Sequence, residues 1–354
     1  MKRLLSLLLL AASLSATWGS PLGAKTLRLK STPETVHRGV ISPSIAPVLT
    51  ISSGDTVVID TVSHGGLNDG DPVAFFAKEG ITEDGVLKDA VAIAKMPRGE
   101  KGFGGHVLTG PIAIKDAQPG DMLEVRILKV TPRVPYGVNN AGEGGAAPGM
   151  MKGRNSKTIK YDIAKKTVNF SSTIHFPMRP FMGIMAIAPT QKISSRSPGI
   201  YGGNMDFEKL QAGATLYLPV QVPGALFVTG DSHAGQGDGE VSGNAIEASM
   251  TPTLQFVLHK GEGKTMTMPL VEDAQNFYVL GMDPDLDKSL TNTIKETVKF
   301  LGVRFGLSPA DAYSLCSTGI DFGVAEAVDQ NLVMYGKIPK SYFSKKFPYW
   351  KKSS

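Results

Sequence analysis

The sequence predicts a mainly β protein: an antiparallel β-sandwich or barrel-like body with a small helical C-terminal segment, α+β at most. Three observations predict it. Between Leu27 and Met268, short runs of alternating or β-branched residues recur, each opened by turn residues. Glycine (40) and proline (23) are abundant and fall mainly between those runs, as many turns require. Only after Asp285 does the apolar spacing change to three and four.

Taken in order, the chain begins with Lys2 and Arg3, an apolar run from Leu4 to Ala12, and small residues. That is the layout of a secretory signal peptide. The run is shorter than the roughly 20 apolar residues a membrane-spanning helix needs. Residues 1–24 are therefore expected to be removed, with Gly19, Ser20 and Ala24 as alternative small residues before the cut. No second arginine adjoins Arg3, which favours a Sec-type signal. The mature protein is expected in the periplasm or outside the cell, with no membrane span.

A single domain is expected over residues 25–345, β-rich to about 282 and helical over about 285–330. Strands are expected at Pro47–Ile51, Asp55–Val62, Asp121–Val130, Thr215–Val222, Ala225–Thr229, Ala245–Met250 and Thr253–His259. Leu286, Leu290, Ile294, Val298 and Leu301 mark a helix from Asp285 to Gly302, and Ser308-Pro309 marks the start of another. Cys316, the single cysteine, falls on the inner face of that second helix, so it reads as a small buried hydrophobe. One cysteine also rules out an internal disulfide. The net charge of +5 comes with few aromatics (7%), which argues against a nucleic-acid groove.

The stretch densest in chemistry is Gly230-Asp-Ser-His-Ala-Gly-Gln-Gly-Asp-Gly-Glu240. Asp231 and His233 lie two apart, so in an extended segment they share a face, as ligands of one divalent metal can. The intervening glycines let the chain double back and bring Asp238 or Glu240 to the same point. His106, just before an apolar run, is the candidate third ligand. In Gly202-Gly-Asn-Met-Asp206, the glycines, Gly203 included, permit close approach of backbone to a ligand, while Asn204 and Asp206 can bind an amide or a metal. His64, in a polar loop, has lower standing; His37 and His175 read as structural, and His259 as an exposed end after a strand. Neither a Gly-x-Ser-x-Gly elbow nor a phosphate loop is present.

Several of these segments, in order, resemble the acetamidase/formamidase family: His106-Val-Leu-Thr-Gly-Pro-Ile, Pro119-Gly-Asp-Met-Leu-Glu-Val, Gly183-Ile-Met-Ala-Ile-Ala-Pro189, Pro198–Asp206, Leu216–Ala225, Gly230–Glu240 with Ala245-Ile-Glu247, and Ala310–Ser317. The resemblance covers about His37 to Tyr342, with Ser232 and Gly235 as departures from the usual pattern. It implies hydrolysis of formamide, acetamide or a related amide to ammonia and a carboxylate, a β-sandwich-like fold and a homo-oligomer. On that footing His106, Asp231 and His233 are expected to hold a divalent metal, zinc foremost and calcium as the alternative. Glu240, or Asp238 in its place, is the expected general base and acid. Asn204, Asp206 and Gly203 are expected around the amide. Two rival readings remain: a hydrolase of a cyclic amide on the same fold, and a non-catalytic sandwich binding calcium and carbohydrate.

Overall fold

A computed structural model describes residues 23–344. All but the last two residues of the expected signal segment lie outside the described residues. Two large, mostly antiparallel sheets face each other. The nine-stranded sheet runs Thr26–Leu29, Thr56–Ile59, Met250–His259, Met122–Pro132, Thr215–Pro219, Leu270–Glu272, Asn276–Asp283, Leu332–Pro339 and Asp321–Glu326. In the six-stranded sheet the order is Gly202–Asn204, Phe181–Ala186, Phe227–His233, Val107–Ile114 and Val36–Arg38, and Leu49–Ile51 also pairs with Val107–Ile114. Their inner faces share one core: Val57, Ile59, Leu123, Val125, Leu254 and Phe256 meet Ile112, Ile114, Met182, Met185 and Phe227. Both sheets stay open, so the body is a sandwich and no barrel closes.

Turn chemistry sets the strand entries. The Asp55 and Asp121 carboxylates accept from the N–H groups of Ser52 and Gln118, each three residues back, which closes the tight turn before a strand. A four-stranded sheet beside the body comprises Tyr136–Ala141, Asn155–Asp162, Thr167–Asn169 and His175–Pro177. Its first hairpin brings the loop Gly142–Arg154 to the rim of the site.

Two features depart from the sequence reading. Ala245–Ala248 makes only isolated bridges, Glu247 with Val138 and with His233, before the regular strand starts at Met250. The region read as helical to about 330 contains the strand Asp321–Glu326, followed by Leu332–Pro339. These form a hairpin on the edge of the nine-stranded sheet, and their weak alternation of burial hides them from a period-two search.

The helix Leu286–Phe305 is capped by Asp285, which accepts from Lys288 N–H, and ends at left-handed Gly306. Its fully buried stripe is Ser289, Thr293, Thr297 and Leu301, with the apolar residues flanking it. The reason is close approach: a Cβ on Gly281 would lie 2.3 Å from Thr293 Oγ1, and one on Gly336 2.7 Å from Thr297 Oγ1. Each hydroxyl is satisfied by a backbone carbonyl: Ser289 donates to Gly281, Thr293 to Ser289 and Thr297 to Thr293. The helix Pro309–Thr318 follows with Ser308 as N-cap. Cys316 is buried in the apolar cluster that also holds Phe277 and Ile338, and burial raises its thiol pKa.

Candidate active site

Both Asp231 and His233 come from the strand Phe227–His233, and alternation sends them to one side of it. Ser232 turns the other way, donating to Ala248 O at 2.6 Å. His106 enters from the residue before Val107–Ile114, the neighbouring strand. Two residues without an expected role complete the cluster. His64, in the loop after Thr56–Ile59, puts Nδ1 3.1 Å from Asp231 Oδ1. Glu247, carried by its bridge to His233, puts Oε2 3.3 Å from His233 Nε2 and 3.8 Å from His64 Nδ1. Asp231 Oδ2 lies 3.7 Å from both His106 Nε2 and His233 Nε2.

The ring orientations are fixed from behind. Gln236 donates Nε2–H to Asp206 O at 2.6 Å, so its Oε1 faces His233 Nδ1 at 3.0 Å. Nδ1 then carries a proton towards Gln236, and Nε2 faces Asp231 and Glu247. Ser195 Oγ sits 2.8 Å from His106 Nδ1 and likewise turns Nε2 inward. Ala245 N–H occupies Glu247 Oε1 at 3.1 Å, leaving Oε2 for the cluster.

Four atoms at the centre, His64 Nδ1, Asp231 Oδ1, His233 Nε2 and Glu247 Oε2, are buried and make no hydrogen bond. Buried polar atoms are rarely left so. His64, His106 and Asp231 offer ligand atoms within 4.8 Å of one another, as do Asp231, His233 and Glu247. Imidazole nitrogens and carboxylate oxygens converging on an orphaned centre fit a divalent cation.

A second cluster adjoins the first. Asp206, His233 and Glu240 also bring ligand-type atoms within 4.8 Å. Burial pushes both the Asp206 and Glu240 carboxyls well above the ordinary range; Glu240 and Asp231 add to this at Asp206, and Glu247 and Asp231 at Glu240. Asp231 goes the other way: burial opposes its charge, but His106, His233 and His64 together hold it well below the usual carboxylate range. Burial lowers His106 despite Asp231, whereas at His233 the carboxylates of Glu247 and Asp231 overcome burial and raise it well above ordinary histidine. Asn204 donates its amide to Asp206 Oδ2 at 2.7 Å and to Asp329, tying in the turn before Leu332–Pro339.

Backbone geometry at these positions is unusual. Asp206, Asp231 and Glu240 adopt φ of 40°, 50° and 44°, the left-handed region that non-glycine residues avoid. Gly183 admits the cluster: a Cβ there would lie 2.3 Å from Asp206 Oδ1, 2.7 Å from Asp231 O and 3.0 Å from His233 Cε1.

Not every expected residue arrives. Asp238 leaves the site: its carboxylate accepts from Tyr335 OH at 2.7 Å, sits 3.6 Å from Lys209 Nζ, and is 40% exposed. The left-handed turn at Gly239 and Glu240 sends only Glu240 inward. Gly203 packs against Ser197 O and Tyr201 and lines no part of the cleft. Of the amide-pocket candidates, Asn204 and Asp206 do line it. His64 and Glu247 had only weak local signals, a polar loop for one and a family-like string for the other.

His64, His106, Asn204, Asp206, Asp231, Glu240 and Glu247 open into a cleft of about 700 Å³. The acetamidase/formamidase family model matches residues 102–199 and 196–345. The chain belongs to the acetamidase/formamidase family. Within the acetamidase/formamidase structures, the acetamidase of Bacillus halodurans superposes with a TM-score of 0.74 at 27% identity, covering 89% of this chain and 98% of its own. The acetamidase of Yersinia enterocolitica gives 0.76 at 26%, covering 91% and 94%. A formamidase-like protein of Schizosaccharomyces pombe is 29% identical over 215 residues, 44% of this chain and 52% of its own length. The alignment thus spans about half the length of that curated relative.

Proposed function

We propose that the chain hydrolyses small carboxamides to ammonia and a carboxylate, assisted by a divalent cation at the Asp231 cluster. The single observation carrying this reading is the convergence of buried imidazole nitrogens and carboxylate oxygens that make no hydrogen bond, beside two carboxyls held above their ordinary range. Asp231, His106 and His233 would hold the cation, with His64 and Glu247 added to the expected set. When bound, the ion, zinc by its nitrogen and oxygen donors, supplies charge that polarises the amide carbonyl and acidifies water.

Glu240 moves the proton. Its buried carboxyl, with raised pKa, takes the proton of the attacking water and returns it to the departing nitrogen. Asp206 stands beside it, its carboxyl held well above the ordinary range by burial and by the neighbouring Glu240. Asn204 holds Asp206 in place, and Ser195 and Gln236 hold the two imidazoles. Asp238 is left out of the chemistry.

Export to the periplasm or medium, and assembly as a homo-oligomer, belong to the same reading. The charge and hydropathy pattern of residues 2–12 motivates the first and the family resemblance the second. Among the described residues, no helix is long and apolar enough to cross a membrane. A mature N-terminus between Gly19 and Lys25 in the periplasmic fraction checks the first; sedimentation of the purified protein checks the second.

The test of the activity is ammonia release from formamide, acetamide and propionamide, with ring opening of a γ-lactam followed in parallel, each with and without chelator. Open-chain turnover lost to chelator and restored by zinc supports the reading. Restoration by calcium alone replaces the ion, and chelator-insensitive turnover removes it. Turnover confined to the lactam, or absent altogether, refutes it.

A further inference from the structure

The cleft is much larger than formamide or acetamide requires. Its volume of about 700 Å³ equals the share of roughly twenty water molecules at about 30 Å³ each. Val328 is the single apolar side chain on its wall among the described residues; the rest is histidine, asparagine, serine, glycine backbone and charge. Such a wall offers little apolar side-chain surface to bind an alkyl tail.

Two guanidinium groups stand on this wall, and they differ. Arg154 is engaged by Asp69 through both of its carboxylate oxygens. Arg196 has one ion pair, Nε to Asp329 Oδ1 at a long 3.9 Å, and its side chain is 53% exposed. Its stem rests on Gly104, where a Cβ would lie 2.8 Å from Arg196 Cγ. The residue before it, Ser195, holds His106 by hydrogen bond and is itself anchored by Ser195 N–H to Gly39 O at 2.8 Å. The backbone that carries Arg196 is thereby held beside His106. Its planar fork of N–H donors matches a carboxylate.

We propose that Arg196 is a specificity residue gripping a carboxylate of the substrate, so that monoamides of short dicarboxylic acids are preferred over simple alkyl amides. This rests on the amide-hydrolysis reading above. Its rival is chemical: Asp206, Glu240, Glu247 and Asp329 on the same wall would suit an amide carrying an ammonium group.

The experiment measures kcat/KM of the full mature protein on acetamide, malonamate, succinamate and glycinamide, for wild type, Arg196→Gln and Arg196→Lys. The expected result is that one amide acid exceeds acetamide in the wild type. Arg196→Gln then lowers the ratio of amide acid to acetamide about 10- to 100-fold, mainly through KM, as loss of a charge-assisted pair implies. Arg196→Lys recovers part of that ratio. A preference for glycinamide, no preference for any amide acid, or an equal loss on all substrates overturns the proposal. Acetamide turnover without an amide-acid preference sinks only this proposal, whereas a wild type inactive on every amide sinks the hydrolytic reading with it.

Discussion

Gly183→Ala is the sharpest perturbation of the site, because the added methyl group meets Asp206, Asp231 and His233 at once. Its Cβ would lie 2.3 Å from Asp206 Oδ1 and 2.7 Å from Asp231 O, whereas ordinary van der Waals contact begins at 3.4 Å. Relief requires a shift of about 1 Å at Asp206, whose other oxygen is held by Asn204. The Asp231 contact is to backbone and cannot rotate away. Displacement of that size costs about 100-fold in rate, roughly 2.7 kcal/mol of barrier, against an overpacking cost of about 1–3 kcal/mol in stability. The assay pairs kcat/KM on the best amide with bound metal, and adds thermal unfolding to show that the variant folds. Gly237→Ala is the control, since a Cβ there meets nothing within 4 Å. If Gly183→Ala kept wild-type rate and metal content, the placement of Asp206 and Asp231 would not be what the reaction depends on.

The other expectations are briefer. Glu240→Gln should lower turnover by about 10²- to 10⁴-fold with metal retained, while Asp238→Asn stays within about threefold; equal losses in steady-state kinetics would return Asp238 to the mechanism. Gln236→Leu should weaken metal binding about 10- to 100-fold, read by chelator competition, because His233 loses the partner of Nδ1. Burial drives His37 down from the ordinary 6.5 to about 4, with both ring nitrogens shielded from water. The unfolded chain therefore binds the extra proton first, so stability is intact above pH 6.5 and is lost as pH falls towards 4, by up to about 3 kcal/mol. Urea unfolding of His37→Gln should show a shallower decline over that window, and an unchanged decline would remove His37 as its source.

How much of this was legible in the sequence depended on range. Asp231 and His233 could be read because two-residue spacing on a strand is a local fact. His106 could be guessed from its place before a strand. Glu247 could not, because its position depends on bridges to Val138 and His233, set by long-range pairing rather than by its neighbours. His64 suffered the same way: a loop after an early strand gives no hint that it closes over Asp231. The confusion of Asp238 with Glu240 had another origin, since left-handed backbone at Gly239 and Glu240 breaks the alternation that would tell inward from outward. In the long helix, apolar spacing found the right segment but, Leu301 apart, not its most buried residues. Small hydroxyls seated on Gly281 and Gly336 carry the deepest contacts, and a hydrophobicity pattern passes over them.

The left-handed conformations of Asp206, Asp231 and Glu240 carry a consequence for how this chain can evolve. Each costs of order 1–3 kcal/mol that a glycine would not incur, and burying three carboxylates together adds to it. A population selected only for thermal persistence should lose its acids at these very positions, gaining robustness as it sheds chemistry. Hyperstable but inert descendants are then the expected by-products of the fold, and replacing any of the three by glycine is the shortest route to one.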